Sequence, residues 1–415
     1  MASLWAFRFL LWYICILWVQ PQVRFPILQT LHIADISFAS AILFHVLAVA
    51  QEGDRMIRWG IASKLAVALL VLATVSLYMA PFQTRHDFNS METIWKQVAL
   101  ILLVEATATS VERVWAVLTT IAIATLWWMK AGFRLAAAGE SFRGDRLMGP
   151  AVGLMDDPNA FAYMVVIIIP LHMYLSKFTT SKWVGKAYLA MVMLAVYIVI
   201  ETGSRSGFVA MLVMALLIVI HHWKRQKVNI ILAVLGVVLI IPFTSQSNLD
   251  RVLSLGDSFR SFVLGETKDP DRGMTQDEQS SLERRMKNKD TLRLIKNYPV
   301  LGAGVSANQS LHASEYPHAV GIVHCEILRA GYQMGIGGMV IYGSIIAVII
   351  AFGWKLYIYY GDWVEMREMA WTLFAAGVTV SVAGFFGSFP WNPMTLTYCA
   401  LVSSLMLLSK EHVRG

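Results

Sequence analysis

Apolar residues fill most of the chain in runs about as long as a bilayer is thick, separated by short polar connections. The first run, residues 4–20, has a short apolar core and is followed by Gln20-Pro21-Gln22 rather than by a small-residue cleavage site. It reads as an uncleaved helix. Further spans are predicted at 30–50, 58–81, 93–110, 113–134, 158–176, 183–202, 206–222, 228–246, 335–360, 368–389 and 393–409. The pattern predicts an all-α, polytopic membrane bundle of about twelve transmembrane helices. One long polar interval interrupts it. The chain therefore divides into spans within 1–246, a large loop with short helices at 247–334, and further spans within 335–415. No internal repeat or low-complexity tract is visible.

Composition agrees with this pattern: 57% of residues are hydrophobic, 15% are charged and mean hydropathy is +0.58, which is the range of multi-pass membrane proteins. The net charge of +7 does not point to nucleic acid, because in a membrane protein such an excess collects in cytoplasmic loops. With the N-terminus inside, the inner connections hold Arg55, Arg58, Arg113, Lys177, Lys182, Lys186, Lys224, Arg225 and Lys227. Both termini then lie in the cytoplasm and the large loop faces outward. The outward exceptions are mainly arginines, Arg134, Arg143, Arg146 and Arg205. Arginine's planar fork suits phosphate oxygens, so these are candidates for an anionic substrate site. Cys15, Cys325 and Cys399 have no metal-type spacing and read as small hydrophobes. Glu105, inside a span, reads as buried and paired rather than catalytic.

The loop carries the chemistry. Its middle is acidic, and Arg284 to Lys296 is strongly basic. Ser280-Ser281-Leu282-Glu283 has capping-box spacing, which predicts a helix from Ser280 to about Asn297, stopped by Pro299. On it Arg285, Lys289, Arg293 and Lys296 recur at steps of four, four and three, one cationic face suited to a lipid headgroup, a pyrophosphate or plain solvent. Pro299 to Gly304 follows as a tight turn whose glycines let backbone approach another group. His318 and His324 come next, and His324 opens a short helix ending at Gly335-Ile336-Gly337. Separately, Thr202-Gly203-Ser204-Arg205-Ser206-Gly207 makes a tight outward hairpin between two spans, with Arg205 at its tip.

At these residues the chain resembles the O-antigen ligase and polymerase superfamily, bacterial membrane-embedded glycosyltransferases of the GT-C type. The Thr202–Gly207 hairpin is similar to the family's Thr-x-Ser-Arg-Gly element. Ser281 to Met286, leading to Pro299–Gly304, resembles its Ser-x-x-x-Arg helix and Gly-x-Gly turn. His324-Cys325-Glu326-Ile327-Leu328 with Gly335 resembles its His-Asn-x-x-Leu element, although Cys325 stands where the family has asparagine. Asp157-Pro158-Asn159 is similar to a further family feature.

The resemblance implies a GT-C-like fold and a donor polysaccharide on undecaprenyl pyrophosphate. It implies that Arg205 and Arg285 hold the pyrophosphate and that His324 is the general base for the acceptor hydroxyl, with Arg284, His318, Lys289, Arg293, Arg143, Arg146 and Asn159 as secondary candidates. The expected partners are that donor, a lipid A–core or growing-glycan acceptor and membrane lipids, at the outward face of the bacterial inner membrane. No cofactor, metal or nucleic acid is expected. A ligase is favoured over a polymerase, and a protein acceptor is a third possibility. Inverting transfer is implied by the resemblance only. A transporter also fits about twelve spans, but it would carry polar or broken helices near the midplane.

Overall fold

The computed structural model describes residues 1–81, 85–139, 146–149, 157–222, 244, 246, 248–250, 276–306, 323–387 and 391–414. Within them the protein is all-helical. Thirteen long or bundle-forming helices are described: α1 (Ala2–Val19), α2 (Ile33–Glu52), α3 (Ile61–Met79), α4 (Arg85–Thr107), α5 (Val111–Ala137), α6 (Pro158–Val166), α7 (Ile169–Phe178), α8 (Lys182–Glu201), α9 (Arg205–His222), α10 (Gln276–Asn297), α11 (Glu326–Tyr359), α12 (Val364–Gly384) and α13 (Pro393–Arg414). Two short helical turns, Pro21–Arg24 and Pro26–Thr30, join α1 to α2. Every predicted span except 228–246, which lies almost wholly outside the described residues, falls on these helices, with 158–176 divided between α6 and α7.

Eight helices are long and apolar enough to cross a membrane: α1, α2, α3, α5, the α6–α7 pair, α8, α9 and α11. The more polar helices α4, α12 and α13 are packed among the others. The most enclosed is α13, where every residue from 391 to 405 is buried. Its polar side chains Thr395, Thr397, Ser403 and Ser404 therefore face protein rather than lipid. Glu105 of α4 lies in this interior with no exposed surface, accepting hydrogen bonds from the hydroxyls of Ser63 and Ser403 and from the Ser63 amide at 3.1 Å. This is the paired, structural role expected of an acid inside a span.

The predicted span 158–176 is two helices in the structure. Pro170 lacks an amide hydrogen, and its ring crowds the carbonyl of the fourth residue before it. That residue is Val166, where α6 ends. The chain passes through Ile167 and Ile168 and restarts as α7. The break is dry, since Met164 to Ile169 are all buried apolar residues.

A second correction concerns the loop helix. It already runs at Gln276, so Ser280 lies inside α10 and is not its N-cap. The end at Asn297, just ahead of Pro299, is where the sequence placed it.

The two ends of the bundle differ. At one end Met1 pairs with Glu52, Arg58 pairs with Glu411 at 2.6 Å, and Arg113 donates to the Thr107 carbonyl at 2.8 Å. At the other end the α8–α9 hairpin, the start of α6 and the start of α11 come together.

Candidate functional site

The site is built from three ordered pieces. The first is the start of α6. Asp157 caps this helix, its Oδ1 accepting the amides of Asn159 at 2.8 Å and Ala160 at 3.1 Å, with Pro158 at the first helical position. The Asn159 Oδ1 then accepts from Arg146 Nη2 at 3.0 Å and from Ser204 Oγ at 2.9 Å.

The second piece is the α8–α9 hairpin. Arg146 Nε donates to the Thr202 carbonyl at 3.0 Å, so one guanidinium ties the hairpin to α6. Gly203 takes a positive φ of 56°, which closes the turn. The Ser204 hydroxyl accepts the Gly207 amide at 3.2 Å. A side chain at Gly207 would come within 2.5 Å of the Ala162 Cβ, so the backbone of α9 packs directly on the Ala162 methyl of α6. Arg205 opens α9 from this support and is half-buried.

The third piece joins α10 to α11. α11 is not one continuous helix: Met334 and Gly335 leave helical geometry, Gly335 at φ 65° and ψ −159°. The turn after α10 sits in this kink. The Ala303 amide donates to the Tyr332 carbonyl at 2.7 Å, and the Ile336 amide to the Pro299 carbonyl at 2.7 Å. Leu294, Ala303 and Tyr332 form a small core of their own there. Ser76 Oγ donates to the Leu301 carbonyl at 3.0 Å, and Gln333 Nε2 to the Val305 carbonyl at 2.9 Å. The close backbone approach predicted for the glycine turn is therefore an approach to α11. It fixes α10 beside the residues that open α11.

His324 lies where the three pieces meet. It lines a small cleft with Asp157, Asn159 and Tyr163 of the α6 segment, Ser206 and Gly207 of α9, and Gly387 beyond α12. Burial holds the imidazole down to about 4, with Arg284 and Lys287 of α10 and, more weakly, Arg329 of α11 adding to the effect and Asp157 opposing it. At neutral pH the ring is uncharged and free to accept a proton. Its surroundings are cationic enough to welcome an anion.

The sequence-predicted residues separate on this frame. His324, Asn159, Arg146 and Arg205 belong to the pieces around the cleft. Arg284 is half-buried and acts on His324, whereas Arg285 and Lys289 are exposed. Arg293 is also exposed and lies 3.5 Å from Asp290. The face chosen from the sequence, Arg285–Lys289–Arg293–Lys296, is thus the outer face of α10. Arg143 and His318 lie outside the described residues. Sequence reasoning passed over Tyr163, Glu326, Lys287 and Arg329. Lys287 had a signal, since it shares with Arg284, Thr291 and Leu294 a spacing of three, four and three along the packed side of α10.

Among the described residues one group could share a cation, His221, His222 and Glu368, with ligand atoms within 4.8 Å of one another. It sits at the far end of α9, roughly 26 Å from Arg205 at 1.5 Å per residue. Lys177 at 3.5 Å and Arg367 at 3.6 Å already match the Glu368 charge, and His221 Nε2 donates to its Oε2 at 3.2 Å. The cluster reads as a tie between α7, α9 and α12.

A helical membrane bundle with a histidine-lined cleft at one end, and cations of α10 acting on that histidine, is the class that fold and site define. Residues 189–343, which contain the hairpin, α10, the glycine turn and His324, match the family model described as O-Antigen ligase, a match that supports the O-antigen ligase superfamily for this segment. Residues 4–180 match a family of unknown function. No curated protein matches the chain.

Proposed function

We propose that the protein is an O-antigen ligase-type glycosyltransferase, moving a glycan en bloc from undecaprenyl pyrophosphate to a lipid A–core acceptor on the periplasmic face of the bacterial inner membrane. The observation that carries the reading is His324 lining the cleft, with Arg284 and Lys287 of α10 near enough to act on its charge, within the segment that matches the family. The cations neutralise the charge that builds on the departing pyrophosphate. His324 takes the proton of the acceptor hydroxyl as its oxygen bonds to the anomeric carbon. Attack from the side opposite the leaving group would invert that carbon. The dry, apolar break between α6 and α7 offers no polar midplane site, which counts against a transporter.

Two outcomes test this. Purified protein is incubated with the lipid-linked glycan, with and without lipid A–core. A shift of the acceptor band supports the ligase, and a ladder of longer lipid-linked chains without acceptor would make it a polymerase. In the same assay Arg284→Ala should lower transfer about 10–100-fold, the scale of one lost charge-assisted contact to the transition state, and Arg285→Ala less than threefold or so. Equal losses would mean that the exposed face of α10 also binds the donor. Because the leaving group is a good one and is met by arginine and lysine, transfer should also persist in excess chelator. Loss reversed only by a divalent ion would overturn the metal-free mechanism.

A further inference from the structure

One buried acid near the cleft has no part in the mechanism so far. Glu326 begins α11, two residues after His324, and has no exposed surface. The Tyr342 hydroxyl donates to its Oε2. The Tyr163 hydroxyl, paired with Thr395 Oγ1 at 3.3 Å, also interacts with Glu326, and Tyr163 lines the cleft. Gly384 and Gly387 give the carboxylate its room. A Cβ at Gly384 would lie 2.3 Å from Glu326 Oε2, and one at Gly387 would lie 3.3 Å from Oε1. Gly387 also lines the cleft, so the carboxylate sits directly behind the cleft wall. The structure therefore joins the cleft to a buried carboxylate through a single hydroxyl.

A proton gained by His324 is disfavoured in the free protein, first by the ring's burial and then by Arg284, Lys287 and, more weakly, Arg329. Building on the transferase reading, we propose that Glu326, reached through the Tyr163 hydroxyl, is the second proton acceptor of the site. The acceptor oxygen forms its bond to the anomeric carbon while the bond from that carbon to the pyrophosphate oxygen breaks, and the electron pair leaves with the pyrophosphate. The hydroxyl proton goes to His324. His324 then passes that same proton through the cleft to the Tyr163 oxygen as Tyr163 gives its own to Glu326, which leaves His324 neutral again. The relay resets when the freed pyrophosphate oxygen takes the proton back, so no outside acid or base is needed. Glu326 acts through Tyr163 and does not itself meet the sugar.

The alternative is a purely structural acid, buried and hydrogen-bonded for packing. The two are separated by pH–rate profiles of the full-length protein in vesicles, using undecaprenyl-pyrophosphate-linked glycan and lipid A–core. The relay predicts that Glu326→Gln, which keeps size and an acceptor for Tyr342, loses about 100-fold in kcat with donor KM changed less than about twofold. Glu326→Asp should recover part of that loss. Tyr163→Phe, which removes one oxygen, should lose a similar factor, flatten the pH dependence in the same way, and add nothing to Glu326→Gln in the double variant. A Glu326→Gln protein with kcat within a few-fold of wild type overturns the relay, as do single losses that multiply or that follow Tm. Should Glu326→Gln fail to fold, Tyr163→Phe decides alone: unchanged kcat and pH profile overturn the relay. Wild-type protein that transfers no glycan overturns the function itself, and the relay with it.

Discussion

Replacing His324 with Gln is expected to lower glycan transfer by about 10²–10⁴-fold while donor binding survives, because general-base catalysis contributes on that scale. Gln can fill the ring's volume and hydrogen-bond across the cleft, but it takes up no proton. The pH dependence carries more information than the loss. In the free protein the ring is held at about 4, below the ordinary 6.5, first by burial and then by Arg284 and Lys287. Bound pyrophosphate brings negative charge between the ring and those cations, which favours the protonated ring and raises its value. The acid limb of kcat, which reports the complex, should therefore lie at higher pH than the acid limb of kcat/KM, which reports the free enzyme. Coincident limbs would mean that the donor's charge never comes near His324.

The same shift makes a stability statement. Between about 4 and 6.5 the unfolded chain holds a proton on His324 that the folded chain does not. Stability thus falls as the pH drops through that window and is fully present above it. Thermal unfolding followed from pH 7 to 4 should show a shallower decline in His324→Gln than in wild type. Added donor should also make the wild-type decline shallower.

Gly335→Ala is expected to be the most damaging single change outside the chemistry. Gly335 sits at φ 65° and ψ −159°, a region that essentially only glycine enters. An added Cβ would lie 2.3 Å from the Pro299 carbonyl oxygen and 2.7 Å from the Val300 carbonyl carbon, both backbone atoms with nowhere to go. Backbone strain and clash together should cost about 3 kcal/mol or more. The kink is also what aims the first turns of α11, and with them Glu326 and Arg329, at the cleft. Transfer should fall even in the fraction that folds. Gly343→Ala is the matched control: it lies in the same helix, and its added Cβ would come no nearer than 3.9 Å, to the Ile327 Cδ1. There alanine should be neutral or stabilising by about 0.5–1 kcal/mol, as in any helix interior. Melting temperatures of the two variants in detergent, with transfer rates beside them, check the pair. Equal melting temperatures would show that the kink relaxes at little cost.

Much of this site was legible because its parts are local. The hairpin at Thr202–Gly207, the turn at Gly302–Gly304 and the end of α10 at Asn297 each depend on glycine, proline or polar residues a few positions apart. The spans were legible because apolar length is a strong signal. What stayed hidden depends on packing. Arg284 and Arg285 differ by one residue, about 100° around a helix, and only the buried side marked by Thr291, Leu294 and Ile295 decides between them. Glu326 gave no sign of its burial, since its neighbours Tyr163, Tyr342 and Gly384 come from three other stretches of chain. The break between α6 and α7 was announced by Pro170 but overridden by the apolar run around it, which reads as one span. The early start of α10 was masked by a capping-box match at Ser280 that the structure does not use.

The enclosure of α13 has a consequence in time. It is the helix most wrapped by others, packing against α3, α4, α5, α11 and α12, yet it is made after all of them. At about 5–20 residues per second, the roughly 390 residues before it take on the order of 20–80 s to synthesise. Through that interval α4 carries Glu105 without Ser403, and α6 carries Tyr163 without Thr395, its partner at 3.3 Å. The polar seam down the middle of the bundle must stay hydrated, or be shielded by the insertion machinery, until the last helix arrives. Completion of the interior is thus tied to completion of the chain, and a ribosome that stalls before α13 leaves a set of inserted helices with Glu105 held by Ser63 alone and their centre open.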